Sequence, residues 1–162
     1  LSIPFAGNEV DVILDKAIRE AYPEVDVPLS MTRKFKETYS YVGESESGAR
    51  VKVPVDGKPR KIEIGKQVGD ACNHLLDQIF DSIKQVIAVA SPQSVFSMLQ
   101  NIILTGGGSR IRNIDQELQR LLADDGYEDP DVRLSAREMK PFVAIGAMKV
   151  AKAAREDQWI KP

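Results

Sequence analysis

The sequence is poor in the side chains on which most catalytic and metal centres rely. Its 162 residues include one cysteine (Cys72), one histidine (His74) and one tryptophan (Trp159). A single cysteine excludes a disulfide framework, and one histidine leaves almost no soft donors for a metal. No run approaches the roughly 18 apolar residues of a membrane span, and no segment has the order of a signal peptide. Neither charge sign dominates: 24 acidic residues face 22 basic ones, for a formal charge of -2. That balance argues against a dedicated nucleic-acid binder, which carries a basic stripe. The default expectation is a soluble cytosolic protein. The chain opens Leu1-Ser2-Ile3-Pro4 without Met, so it need not start where its gene starts.

What is present suits a packed domain. Apolar residues make up 43% and charged residues 28%, and a chain of this length can bury roughly two-thirds of its unfolded surface. Val10, Ile13, Leu14, Ala17, Ile18 and Ala21 fall at helical spacing, with Asn8 placed as N-cap and Pro23 as terminator. A second helix is expected from after Ser30 to about Thr38, passing into a β-prone run, Tyr39 to Val42. A polar loop spans Gly43 to Gly48. Val51–Val55 and Arg60–Ile64 flank Asp56-Gly57, the signature of a hairpin with a tight turn, and Pro54 marks an edge strand. With Tyr39–Val42 these make three expected antiparallel strands.

Residues 66 to 90 carry the longest periodic stripe, from Val68 and Cys72 to Val86 and Ile87. A short helix or turn is expected over Val95–Leu99. Ile102-Ile103-Leu104 reads as a strand buried on both faces, followed at once by Gly106-Gly107-Gly108-Ser109. Another amphipathic helix, through Ile114, Leu118, Leu121 and Leu122, leads to a short strand, Val132–Leu134. A final helix is expected from Pro141 to about Arg155, its Ala144, Gly146, Ala147 and Ala151 allowing close packing. The fold class is α/β: a small module, residues 1–72, ahead of a larger one, residues 73–162.

The glycine turn is the sharpest candidate site. Three residues without Cβ let a flat ligand approach the backbone, whose N–H groups can bond it. The turn lacks the Lys-Ser/Thr ending of a Walker A loop and the spacing of a dinucleotide fingerprint. A tight turn without a ligand is the alternative. Arg110 can stack on an aromatic ring, worth roughly 0.5–2 kcal/mol, or be a solvated cation. Lys36 and Glu37 can donate to and accept from a ribose, or form a charged helix face. Cys72, on the apolar stripe, reads as buried filler, as does the neighbouring His74. Trp159 reads as a packing anchor. No nucleophile, general base or metal-donor set is visible, so the expected catalytic and metal residues are none.

The run from Asn101 through Gly106-Gly107-Gly108-Ser109-Arg110 to Ile114 resembles the adenosine-binding segment of the actin and heat-shock-70 superfamily of ATPases. Phe35-Lys36-Glu37 with Tyr41-Val42 resembles the family's ribose-contacting helix and the strand after it. Val53-Pro54 to Gly65 is similar to the hairpin of the second lobe's small subdomain, and Gly7 to Asp11 to the start of that subdomain's first helix. Phe142–Ala147 with Gln158-Trp159-Ile160 resembles the C-terminal helix and tail. Ala6-Gly7-Asn8, Gly57-Lys58-Pro59 and Leu99–Ile102 point to magnetosome-organising bacterial actins, with rod-shape actins next.

The resemblance implies the second lobe of a filament-forming, cytoskeletal actin-like ATPase in the cytoplasm. Gly106, Gly107, Gly108, Ser109, Arg110, Lys36 and Glu37 would bind ATP or ADP, with Mg²⁺ in the intact parent. Expected partners are further copies in a filament, meeting at the hairpin, and magnetosome- or membrane-associated adaptors, with no nucleic acid and no direct membrane span. The family's phosphate-gripping hairpins are of the Asp-x-Gly-x-Gly or Asp-x-Gly-Thr kind, and neither pattern occurs in these 162 residues. Phosphoryl transfer rests on positioning and charge neutralisation around the γ-phosphate, so this chain alone is not expected to hydrolyse ATP. A stand-alone, non-enzymatic adaptor that binds filaments is the alternative from another class.

Overall fold

The computed structural model describes residues 6–44, 48–135 and 140–154, with side chains in the last segment described from 144 onward. Helix α1 (Gly7–Ala21) buries Val10, Leu14 and Ile18 along one stripe. It starts two residues earlier than an Asn8 cap would place it: Ala6 is the N-cap, and Asn8 instead accepts a hydrogen bond from Arg33. Helix α2 (Leu29–Tyr39) packs against α1.

Strands β1 (Arg50–Val55) and β2 (Lys58–Glu63) form an antiparallel hairpin. Its turn residues both have positive φ, 50° at Asp56 and 75° at Gly57, as a primed turn requires. Pro54 lies opposite Pro59. That pair is next to the hydrogen-bonded pair closing the turn, so its amide positions point outward and a missing N–H breaks no ladder bond.

The expected third antiparallel strand is not part of this sheet. Tyr39 ends α2, and Tyr41 makes a single parallel bridge to Arg112. The helix uses the first residue of the β-prone run, which leaves too little chain for a strand. Among the described residues the module is a two-stranded hairpin with helices, not a three-stranded unit.

Helix α3 (Gly65–Ala88) runs unbroken and buries Val68, Ala71, Cys72, Leu75 and Leu76. Helix α4 (Pro92–Leu99), with Pro at its first position, leads to β3 (Ile102–Leu104). A single 3₁₀ turn (Gly108–Arg110), helix α5 (Ile114–Asp124) and strand β4 (Val132–Leu134) follow, and β3 pairs β4 in parallel. This is a βαβ unit with α5 as crossover. One buried cluster joins α1, the hairpin, α3, α5 and β4.

Two expectations fail at the far side. Strand β3 is not buried on both faces, because Ile103 is 60% exposed. Among the described residues the sheet has only two strands, so one face stays bare. Helix α6 (Lys140–Ala153) does not use its small residues for close packing: Ala144, Gly146 and Ala147 are exposed. Exposed Ile145, Met148 and Val150 give it no single apolar stripe to set against the core. Trp159 and the rest of the C-terminal tail lie outside the described residues, as does the centre of the Gly43–Gly48 loop. No helix among the described residues is long and apolar enough to cross a membrane.

Candidate functional site

Strand β3 delivers the chain to the glycine turn. Gly106 has φ of 88°, which an L side chain rarely adopts. A Cβ at Gly106 or Gly107 would meet nothing within 4 Å, and at Gly108 only Leu75 at 3.8 Å. The backbone surface is therefore open enough for a flat ligand. Ser109 is buried and donates from Oγ to the Gly106 carbonyl at 2.8 Å, so it braces the turn from within. Arg110 ends the 3₁₀ turn with its side chain exposed.

The turn is stitched to the end of α2. Val42 N–H donates to the Arg112 carbonyl at 3.1 Å, and Arg112 N–H donates to the Ser40 carbonyl at 3.3 Å. The Arg112 guanidinium adds bonds to the carbonyls of Ser40 and Tyr39. Hence the segment after Arg110 and the segment after Glu37 share one backbone junction. Tyr41, 4% exposed, locks that junction onto α3 by donating to the Gly65 carbonyl at 3.0 Å. Its ring fits only because residue 69 is glycine: a Cβ there would lie 2.4 Å from the Tyr41 hydroxyl.

Lys36 and Glu37 behave differently. Glu37 is exposed. Lys36 is mostly enclosed, with its side chain 15% exposed, and its Nζ lies 2.6 Å from Asp11 Oδ1 while donating to the Gly7 carbonyl at 2.7 Å. Asp11 is fully buried and also accepts from Arg33 Nε at 2.8 Å. In the sequence Asp11 stands out only as the end of the Gly7–Asp11 segment. Its signal was its place on the apolar stripe, one turn before Leu14 and two before Ile18. Tyr41, Gly69 and Arg112 were missed as well, and no local pattern marks them.

An ammonium has three N–H donors, so Lys36 keeps one beyond those engaged by Asp11 and Gly7. The glycine backbone is open, Lys36 is held by Asp11 and Gly7, and Glu37 is exposed. Burial pushes the Cys72 thiol up to about 11, against smaller opposing effects from the Tyr41 backbone and Lys36, which leaves it protonated and unfit as a nucleophile. Among the described residues no three His, Cys, Asp or Glu side chains converge as metal donors. A separate polar cleft of about 750 Å³, lined by Gly43, Asn73, Asp77, Asn113 and Glu117 among others, contains none of the seven expected nucleotide residues.

The comparisons with known proteins bear on the family and the fold. The chain is 30% identical over 155 residues to the actin-like protein MamK of Paramagnetospirillum magneticum, an alignment covering 95% of this chain and 44% of that protein. It superposes on the MamK double helical filament with a TM-score of 0.85 at 30% identity, over 96% of this chain and 47% of that one. A non-polymerising MamK mutant bound to AMPPNP gives a TM-score of 0.84 at 30% identity, over 94% and 46% of the two chains. The chain thus spans less than half the length of these relatives, and its α/β architecture is part of an actin-like fold. The MreB/Mbl protein family model matches residues 1–157, and the chain belongs to that family.

Proposed function

We propose that this chain is the C-terminal half of a bacterial actin-like, filament-forming ATPase of the magnetosome-organising kind. It supplies the adenosine wall of an ATP or ADP site and part of the subunit contacts. The observation that carries the reading is the open Gly106–Gly108 backbone, joined through Arg112 to the end of the helix that bears Lys36 and Glu37. Gly106, Gly107 and Gly108 face the base side, Ser109 braces the turn, and Arg110 lies along the adenine. Lys36 and Glu37 serve the ribose. Residues 1–72 act as the small subdomain and 73–162 as the larger one.

The bare face of β3 supports the same reading. Parallel sheets are covered on both faces, yet an apolar groove of about 430 Å³ lies between α3 and β3, lined by Ile79, Ile83, Val86, Met98 and Ile103 among others. Relatives about twice as long have further chain to cover it. Mg²⁺ and the phosphate grips belong to that further chain, and with them the slow hydrolysis of the whole protein. The filament is cytoplasmic and serves a magnetosome-like or membrane-associated adaptor.

Calorimetry tests the division of labour. The chain with Mg²⁺ and ATP should show no micromolar binding, since bonds to the phosphates are missing from its residues. Micromolar, Mg²⁺-dependent affinity would contradict the half-site reading.

A further inference from the structure

The Lys36 side chain is gripped at its tip by another helix. Its Nζ lies 2.6 Å from Asp11 Oδ1 and donates to the Gly7 carbonyl at 2.7 Å. Both partners stand near the start of α1, so α1 fixes where a side chain of α2 ends. The Asp11 side chain is 1% exposed, and its two oxygens are used differently. Oδ2 accepts from Arg33 Nε at 2.8 Å. Among the described residues no hydrogen bond satisfies Oδ1, so the charge of the Lys36 ammonium is what offsets its burial. Room for the ammonium depends on residue 7 as well. A Cβ there would lie 3.3 Å from Nζ, closer than an ordinary contact.

The position so fixed is near the glycine turn. The Lys36 charge reaches the buried Cys72 thiol on α3. A Cβ at Gly108 would stand 3.8 Å from Leu75 on the same helix. Residues 72 and 75 share one face of α3, about 4.5 Å apart along its axis at ~1.5 Å per residue. The ammonium and the turn therefore border the same stretch of helix. Charge is balanced there too. Arg33 is half exposed, so water screens its share, while the Lys36 side chain is only 15% exposed and faces the negative charge of Asp11. A fixed and neutralised ammonium suits an uncharged oxygen, such as a sugar hydroxyl. A phosphate draws instead on unneutralised positive charge.

We propose that Asp11, together with the Gly7 carbonyl, is a positioning residue: it holds the Lys36 ammonium where it donates to the ribose hydroxyls of a bound adenosine nucleotide. Asp11 itself touches no part of the ligand. This rests on the nucleotide reading above and names the residue that gives Lys36 its place and its preference for a neutral oxygen.

Amide ¹⁵N–¹H spectra of the 162-residue chain, with AMP added to about 20 mM, test it. Relative affinity is the slope of the shifts at Gly106 to Arg110 against AMP concentration, since these reporters lie on a different element from the substitutions. A double-mutant cycle separates positioning from structure. Asp11→Asn should reduce the slope about fivefold, and the same change made on top of Lys36→Met should alter it by less than about 1.5-fold. Arg33→Gln removes the other partner of Asp11, and should lower stability while altering the slope by less than about 1.5-fold. Gly7→Ala displaces the ammonium with Asp11 intact and should reduce the slope about twofold. It carries the test if Asp11→Asn does not fold by circular dichroism. Equal losses from Asp11→Asn with and without Lys36, an equal loss from Arg33→Gln, or an unchanged slope in Gly7→Ala overturn the positioning role while the nucleotide reading stands. Inorganic phosphate that shifts Lys36 as AMP does makes it an anion site and overturns the role as well. A wild type whose spectrum AMP leaves unchanged overturns both.

Discussion

At the scale of single residues, the least anticipated finding is the buried carboxylate of Asp11. It is enclosed by the α1–α2 contact and shared between Arg33 and Lys36. Removing one member of such a group leaves the others desolvated and unpaired, at a cost of about 3–5 kcal/mol. Asp11→Ala should therefore lower the unfolding free energy by about that much in a urea titration. A loss under about 1 kcal/mol would mean that Arg33 and Lys36 relax into water. Lys36 was legible as a site candidate, but the residue that holds it was not. Its partner sits on a different helix, and spacing along one helix does not report which cations a neighbouring helix brings.

At the scale of elements, the hairpin, the long α3 helix and the strand–glycine–helix passage were readable because each is specified locally. Asp-Gly sets the primed turn, and a 3.6-residue stripe sets α3. What stayed hidden depends on distant pairing. The chain around Tyr41 meets Arg112 across nearly half of the sequence, and the exposure of Ile103 depends on how many strands share its sheet. The glycines separate these two kinds of information. Gly69→Ala puts a Cβ 2.4 Å from the Tyr41 hydroxyl, which should destabilise by about 1–3 kcal/mol through overpacking. Gly107 has open space around it and φ of -64°, so Gly107→Ala should change stability by less than about 1 kcal/mol, and can raise it. Equal effects at the two positions, by thermal or urea unfolding, would show that the Tyr41 junction is looser than the packing indicates.

At the scale of the whole molecule, the sequence's lack of charge excess and reactive side chains says little about the function proposed for it. The described residues hold an open glycine turn, an inert buried thiol and a bare apolar sheet face. The proposed function reads them as one half of a larger nucleotide-clamping fold, and the chain spans less than half the length of the relatives it matches. Length and composition alone point only to a soluble globular domain, and the α/β class comes from the order of elements. The motifs supplied the rest because the resemblance ran through several segments in order, while the backbone junction at Arg112 showed how two of them meet.

The central claim is that this chain offers its own wall to an adenosine. Amide ¹⁵N–¹H spectra of the 162-residue chain, recorded while AMPPNP is added to about 10 mM, test it most directly, since millimolar binding corresponds to only about 4 kcal/mol. The expected shifts cluster at Gly106 to Arg110 and at Lys36 and Glu37, and they shrink in Gly107→Ala while the protein stays folded. Spectra that do not move, or shifts confined to the cleft of Asn73, Asn113 and Glu117, would contradict it.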